Sequence, residues 1–143
     1  MREQSNSMKI VSAIAPAVYA ADTTPVAIDR LGYASATIAI HVGVGGITFT
    51  GTHKIEFVLE DSYDGTVWAP VPAGQVVGPD LTADDGIVLA LKTAQAAAKV
   101  TKVGYIGDAR YIRLKGDFSG THGTGTPLAA EVIFGRPAQY PVD

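Results

Sequence analysis

Apolar and polar residues alternate along much of this chain with a period of two, the pattern of β-strands that bury one face. In YASATIAIHV (33–42), one face carries only alanine, isoleucine and valine. In HKIEFVLE (53–60), Ile55, Phe57 and Leu59 alternate with lysine and glutamate. Both segments are therefore predicted to be half-buried strands.

Turn residues separate these segments from others of the same kind. Asp64-Gly65 is a strong hairpin signal, because both residues tolerate positive φ. An alanine-rich stretch at 93–100 is the one helix candidate, and at about two turns it is marginal on its own. Six to eight short strands predict an all-β fold, an antiparallel β-sandwich or jelly roll. Beyond the first two, the predicted strands are 66–71, 86–93, 109–116 and 128–135.

The two ends of the chain depart from the alternating pattern. Residues 1–25 begin polar and become apolar, and residues 136–143 contain two prolines. The sequence therefore predicts an N-terminal arm at 1–25, a sandwich domain at 26–135 and a C-terminal arm at 136–143. Residues 8–22 resemble a signal peptide, but Pro16 interrupts the apolar run. We interpret that run as an apolar arm or a first strand.

Composition narrows the class of function. Apolar residues make up 47% of the 143 residues and charged residues 17%, which excludes intrinsic disorder. So few charges suit a surface that partners partly cover. The net charge is −3 with no basic stripe, so nucleic-acid binding is not expected. No apolar run approaches the ~18–20 residues of a membrane span, so no membrane contact is expected either.

Candidate catalytic and metal-binding residues do not form recognisable motifs. The chain has no cysteine, and its three histidines, His41, His53 and His122, are isolated in sequence. The glycine-rich loops 43–48 and 120–126 lack the Lys-Ser/Thr ending of a phosphate-binding loop. The acidic loop 78–86 lacks the continuation of a calcium loop. We therefore expect no enzyme, no cofactor and no metal site.

The segment SYDGTVW resembles the Ser-x-Asp-Gly-x-x-Trp signature of discoidin-like, galactose-binding-type β-sandwiches, with Ser62, Asp64, Gly65 and Trp68 as the matching residues. ARYIRL at 109–114 resembles a late strand of the same domains. The resemblance implies a jelly-roll scaffold rather than sugar binding, because that family holds its ligand with other loops. Trp68 is expected to bury its ring against the core.

The order of patterns over roughly residues 26–135 also resembles small β-sandwich proteins that decorate tailed-bacteriophage capsids, of the type known from a Bordetella phage. The segments that carry this resemblance are LGYASATIAIHVG, HKIEFVLEDSYDGTVWAPVP and VGYIGDARYIRLKG. It implies a virion structural protein on the capsid exterior, a cementing protein that bridges capsomers. The expected partners are the major capsid protein and further copies of the chain, as a dimer or trimer.

Two binding hypotheses follow. The leading one is capsid cementing through the arms, since Tyr and Arg are favoured interface anchors. The alternative is a carbohydrate- or cell-surface-binding module, tail-associated or secreted, that uses Asp61, Tyr63 and Asp64. The expected interface residues of the leading hypothesis are Ile10, Val11, Ile14, Val18, Tyr19, Arg136 and Tyr140.

Overall fold

The computed structural model describes residues 3–78 and 85–139, and within them the chain is all-β. Two antiparallel sheets pack together, so the predicted fold class is confirmed. Two short 3-10 helices lie at Ser5–Ser7 and Ala73–Gln75. The strands are β1 (Lys9–Tyr19), β2 (Ile28–Asp29), β3 (Tyr33–Val42), β4 (Lys54–Ser62), β5 (Ala69–Pro70), β6 (Val76–Val77), β7 (Ile87–Leu91), β8 (Lys99–Tyr105), β9 (Tyr111–Ser119) and β10 (Thr126–Pro137).

The strand order is that of a jelly roll. Sheet A runs β1-β10-β3-β8-β6, and sheet B runs β2-β9-β4-β5 with β7 also paired to β4. Without β5 and β6, four strands remain in each sheet, including β2 with only two residues, and most connections cross between the sheets. Each long strand therefore contributes one face to a shared core and the other to an outer surface.

The core lies between the two sheets and is made by the predicted apolar faces. Ile38 and Ile40 of β3, Phe57 of β4 and Leu114 of β9 are all within 1% of full burial. In sheet B, Leu59 stands opposite Leu114 in the register of β4 and β9. The alternation read from the sequence therefore assigned the inward face of these strands correctly.

The predicted N-terminal arm contains a strand of the sandwich. β1 pairs with β10 from Lys9↔Phe134 to Tyr19↔Thr126, with irregular register around Ser12 and Ile14. Residues 9–19 are thus the edge strand of sheet A. Of the two interpretations, an apolar arm or a first strand, the structure shows the strand. Arg136 also lies inside a strand, since β10 continues to Pro137. The sandwich therefore extends past both predicted domain limits, and residues 140–143 lie outside the described residues.

The helix predicted at 93–100 is not formed. Residues 92–98 are irregular and β8 begins at Lys99. The Gln95 side chain donates hydrogen bonds to the carbonyls of Val42 (3.3 Å) and Gly43 (3.2 Å) at the end of β3. β8 then pairs with β3 over seven positions. A two-turn helix cannot outcompete these long-range bonds. No helix within the described residues is long and apolar enough to cross a membrane.

Candidate interaction surface

The outer face of sheet A, called here the sheet A face, is built from residues that stand in register across neighbouring strands. His41 is opposite Val100 on one side and Ala129 on the other, and Val18 is opposite Pro127. The buried neighbours of these residues point inward, so the set points outward. The full face consists of Ile10, Ser12, Val18, Thr37, Ala39, His41, Val77, Val100, Lys102, Gly104, Pro127, Ala129, Glu131 and Ile133.

Exposed apolar side chains mark this face. Among the described strands, four large apolar side chains are more than half exposed, Ile10, Val18, Val77 and Val100, and all four belong to sheet A. A groove of about 520 Å³ crosses β1, β10, β3 and β8 at one end of the face. Alanine, valine, proline and leucine side chains form most of its lining, with His41 and Lys99 among the few polar residues. An apolar groove of this kind is typical of an interaction site.

The charged groups on the sheet A face lie in its middle. The His41 Nε2 atom lies 3.3 Å from the Glu131 carboxylate. Lys102 stands in register with Ala39, which in turn stands opposite Glu131. Apolar side chains lie on both sides of this row. The face therefore has a narrow polar band between two apolar areas.

The outer face of sheet B is different, because charged side chains cover it. Glu56 of β4 lies between Lys54 (2.8 Å) and Lys92 (3.2 Å). The hydrogen bond from Lys54 is the main reason that the pKa of Glu56 lies below its usual value. Lys115 of β9 lies 3.1 Å from Asp22. These charges are paired at the surface, where they interact favourably with water.

Trp68 lies on this charged face rather than in the core, which corrects the expectation for its ring. The guanidinium carbon of Arg113 is 4.2 Å from the centroid of the ring, and Arg113 Nε donates to Glu60 at 2.6 Å. Arg113 points outward because its neighbours in β9, Ile112 and Leu114, are the buried residues. Trp68 is therefore half-buried under a cation that covers one side of its ring.

The sequence-predicted interface residues of β1 separate into two groups. Ile10 and Val18 are 62% and 61% exposed and belong to the sheet A face. Ile14 is 3% exposed in the core, so it is not available as a surface contact. Val11 and Tyr19 are half-buried against the core. The bulge near Ser12 turns Ile14 inward, and a period-two reading cannot detect a bulge.

The C-terminal pair of predicted interface residues is not brought to this groove. Arg136 is exposed near the end of β10, with a positive φ of 50°. That end of the strand is far from Thr126 and Pro127, where the groove lies. Tyr140 falls outside the described residues.

The alternative ligand loop is held mainly by its own hydrogen bonds. The Asp64 carboxylate accepts from the backbone N–H groups of Thr66 (2.8 Å) and Val67 (2.9 Å) and from the Ser62 hydroxyl (3.0 Å). Of the several hydrogen bonds that lower the pKa of Asp64, the one from Val67 has the largest effect. This is the geometry of a turn in which aspartate replaces missing backbone partners.

Asp61 and Tyr63 are also engaged within the protein. The Tyr105 hydroxyl donates a hydrogen bond to Asp61 (2.6 Å), and burial, together with this bond, raises the pKa of Tyr105. The Tyr63 hydroxyl donates to Asp108 at 2.7 Å, which raises the pKa of Tyr63. The Tyr63 ring itself is 71% exposed. Asp61 and Asp64 thus stabilise this end of the sandwich, and the ring of Tyr63 is the part of the loop that faces solvent.

Within residues 3–78 and 85–139, no three histidine, aspartate or glutamate side chains gather as a metal site would require. Comparison with known proteins found no match among protein-family models, curated proteins or solved structures. The surface is therefore interpreted from its own geometry.

Several members of the sheet A face were missed by the sequence reasoning. Val100 and Lys102 lie in β8, whose first two residues fall within the predicted helix at 93–100. Ala129 and Ile133 lie in a correctly predicted strand, but an outward isoleucine in an apolar strand carries no sign of its orientation. The one available signal was the apolar run on both faces of β10, which indicates a strand covered on both sides.

Proposed function

We propose that this chain is a structural protein of a bacteriophage virion that binds the outside of the capsid through the sheet A face and stabilises the shell by bridging capsomers. The proposal combines the sequence resemblance to capsid decoration proteins with the asymmetry of the sandwich. In this proposal the protein acts by burying surface against the capsid rather than by catalysing a reaction.

The observation that carries the proposal is the contrast between the two outer faces. In the described residues, the ion pairs of Glu56, Glu60, Asp22 and Asp29 all involve sheet B or the segment leading into it. The large exposed apolar residues within strands all belong to sheet A. A sandwich with one charged outer face and one largely apolar outer face suits attachment to a surface, with sheet B toward solvent.

The sheet A face is close in size to one side of a stable interface. Four strands about 4.8 Å apart, each roughly 30 Å long, give a projected area of about 600 Å². A stable interface buries about 800 Å² on each partner. The face reaches about three quarters of that value. Repetition over symmetry-related sites would multiply a modest affinity per copy.

The test is co-sedimentation of purified protein with capsids that lack it. Val100→Asp places a charge in the groove, where Val100 is 58% exposed, and the matched control Val67→Asp changes a 74% exposed valine beside sheet B. Both variants should fold, because neither side chain is in the core. We expect saturable binding of the native chain at a fixed copy number, at least tenfold weaker binding for Val100→Asp, and unchanged binding for Val67→Asp. Absence of capsid binding by the native chain, or equal binding by the two variants, would contradict the proposal.

A carbohydrate- or cell-surface-binding module is the second candidate, and the exposed ring of Tyr63 favours it. Sugars stack on accessible aromatic faces, although Arg113 covers one side of the neighbouring Trp68. A glycan array run beside the capsid assay distinguishes the two functions. Glycan binding that Tyr63→Ala abolishes, without capsid binding, would support this second function.

A further inference from the structure

Two histidines that are distant in sequence hold the same loop, the segment of residues 120–125 between β9 and β10. His122 belongs to the loop, and His53 precedes β4. Each makes a hydrogen bond to the backbone around the loop. The atoms that these bonds use determine which protonation state of each ring is compatible with the closed loop.

His122 is compatible only with a neutral ring in its present contacts. Its Nε2 lies 2.9 Å from the Ser119 carbonyl oxygen, and a carbonyl can only accept, so Nε2 carries the proton. Nδ1 is buried and has no hydrogen-bond partner among the described residues. The residue is 2% exposed, with Phe118 edge-on at 4.8 Å and Phe49 at 6.5 Å between ring centroids. A second proton would place an unpaired charge among aromatic rings, which is costly.

His53 requires an unprotonated Nδ1 for a different reason. Its Nδ1 accepts a hydrogen bond from the backbone N–H of Thr121 at 2.9 Å. Protonation of Nδ1 would set two donors against each other and break this bond. His53 is exposed, so its ring meets solvent protons directly. Both rings therefore stabilise the closed loop only when they are neutral.

The charged groups of the neighbouring strands do not compensate these rings. Lys54 and Asp117 are the ionised residues next to them in β4 and β9, and both point to the outer face of sheet B. Lys54 is paired there with Glu56, and Asp117 lies 3.9 Å from Lys115. In the β3–β4 segment, the uncharged Thr50 accepts from the His53 backbone N–H, and the Phe49 ring lies 6.5 Å from that of His122. In the segment before β2, Asp22 accepts from the backbone N–H of Phe118 and is paired with Lys115. His41 differs, because it lies on the sheet A face with its Nε2 atom 3.3 Å from the Glu131 carboxylate and makes no contact with this loop.

The loop is connected to the end of the edge strand. Gly125 accepts a hydrogen bond from Gly46 N at 2.8 Å, and Tyr19 of β1 stands opposite Thr126. A Cβ at Gly125 would meet Val18 and the Tyr19 carbonyl oxygen at 2.8 Å, so the loop and β1 are in close contact. Opening of the loop would therefore loosen the last residues of β1.

We propose that His53 and His122 form a pH-sensitive latch that holds loop 120–125 closed near neutral pH and releases it in mildly acidic solution. The open state binds more protons than the closed state, so lowering the pH favours opening. An unconstrained imidazole is half protonated near about pH 6.5. One pH unit below that value, protonation of one such ring in the open state raises the equilibrium constant for loop opening about tenfold, and protonation of both raises it about a hundredfold. The proposal concerns the free protein and does not rest on capsid binding.

The test is amide hydrogen exchange by NMR at about pH 7.5 and about pH 5.5, with rates corrected for intrinsic exchange. We expect the protection of the Thr121 and Gly46 amides to fall by about ten- to a hundredfold at the lower pH. The double variant His53→Asn/His122→Gln supplies an amide oxygen and an amide N–H in place of the two imidazole groups and cannot be protonated. It should keep its protection at both pH values, whereas His41→Gln should behave like the native chain.

Constant protection in the native chain, or an acid-induced loss that persists in the double variant, would overturn the latch. A second measurement on the unmodified protein covers the case in which the double variant does not fold. The ring resonances of His53 and His122 should report proton uptake over the same pH range in which protection is lost. Protonation of both rings with the Thr121 amide still protected would also refute the proposal.

Discussion

Ile14→Ala tests whether β1 is part of the folded sandwich or an arm attached to it. Ile14 is 3% exposed and stands opposite Ala130 in the core of sheet A. Ile10 in the same strand is 62% exposed. The two isoleucines are therefore a matched pair, because the substitution is chemically identical and only the burial differs.

The expected magnitude follows from what each substitution removes. Ile→Ala deletes three carbon atoms, and each buried methylene contributes about 0.8 kcal/mol, so the transfer contribution at Ile14 is about 2.4 kcal/mol. The cavity that remains adds to this, which places the loss at about 2–4 kcal/mol. At Ile10 most of the side chain is already in water, and we expect a change within about 0.5 kcal/mol.

Urea unfolding followed by circular dichroism measures both values, with the slope of the transition as a check for two-state behaviour. The reasoning requires a large shift of the midpoint for Ile14→Ala and almost none for Ile10→Ala. Equal, small effects at both positions would refute it, because they would mean that residues 9–19 contribute little to the stability of the sandwich.

Three further predictions concern other parts of the molecule. The two lysine partners of Glu56 lower the pKa of its carboxyl group. The ionised carboxylate therefore stabilises the fold above the usual pKa of about 4.5, and this stabilisation is lost as the pH falls through the lowered pKa. Glu56→Gln should accordingly flatten the acid side of a curve of unfolding free energy against pH. Gly125→Ala should lower the melting temperature more than Gly32→Ala. Both glycines have φ near +90°, but only the Cβ added at Gly125 would meet a backbone oxygen. Equal losses would mean that the positive φ alone determines the cost. Arg113→Ala should shift Trp68 fluorescence to longer wavelength by uncovering the ring, and an unchanged spectrum would show that Arg113 does not shield it.

The strands that the sequence predicted best are those with one apolar and one polar face. β3 and β4 appear at nearly the expected residues, with Ile38, Ile40 and Phe57 inward as expected. β8 was missed because its outward valine, Val100, and its lysines obscure the alternation. Trp68 was misplaced because a large apolar ring can also be covered by a neighbouring arginine, and nothing local to Trp68 identifies Arg113 as that neighbour.

The candidate surface could be predicted only in part. The predicted contacts Ile10 and Val18 are exposed on the sheet A face. The third predicted contact in this strand, Ile14, lies in the core, because a bulge changes which residues of β1 point inward. The ligand loop was chosen for its acidic residues, and the structure shows Asp64 accepting from turn amides. The sequence supplied the residue types, but not their hydrogen-bond partners.

By itself, the sequence determined the all-β class and the two faces of its clearest strands, because alternation with period two is a local property of the chain. Tertiary structure alone decided which strands are neighbours. Val100, His41 and Ala129 form one row on the sheet A face only because β8, β3 and β10 pair in a particular register. Strand pairing joins residues that are far apart in sequence, and its free energy depends on the whole set of contacts, so no local pattern encodes it.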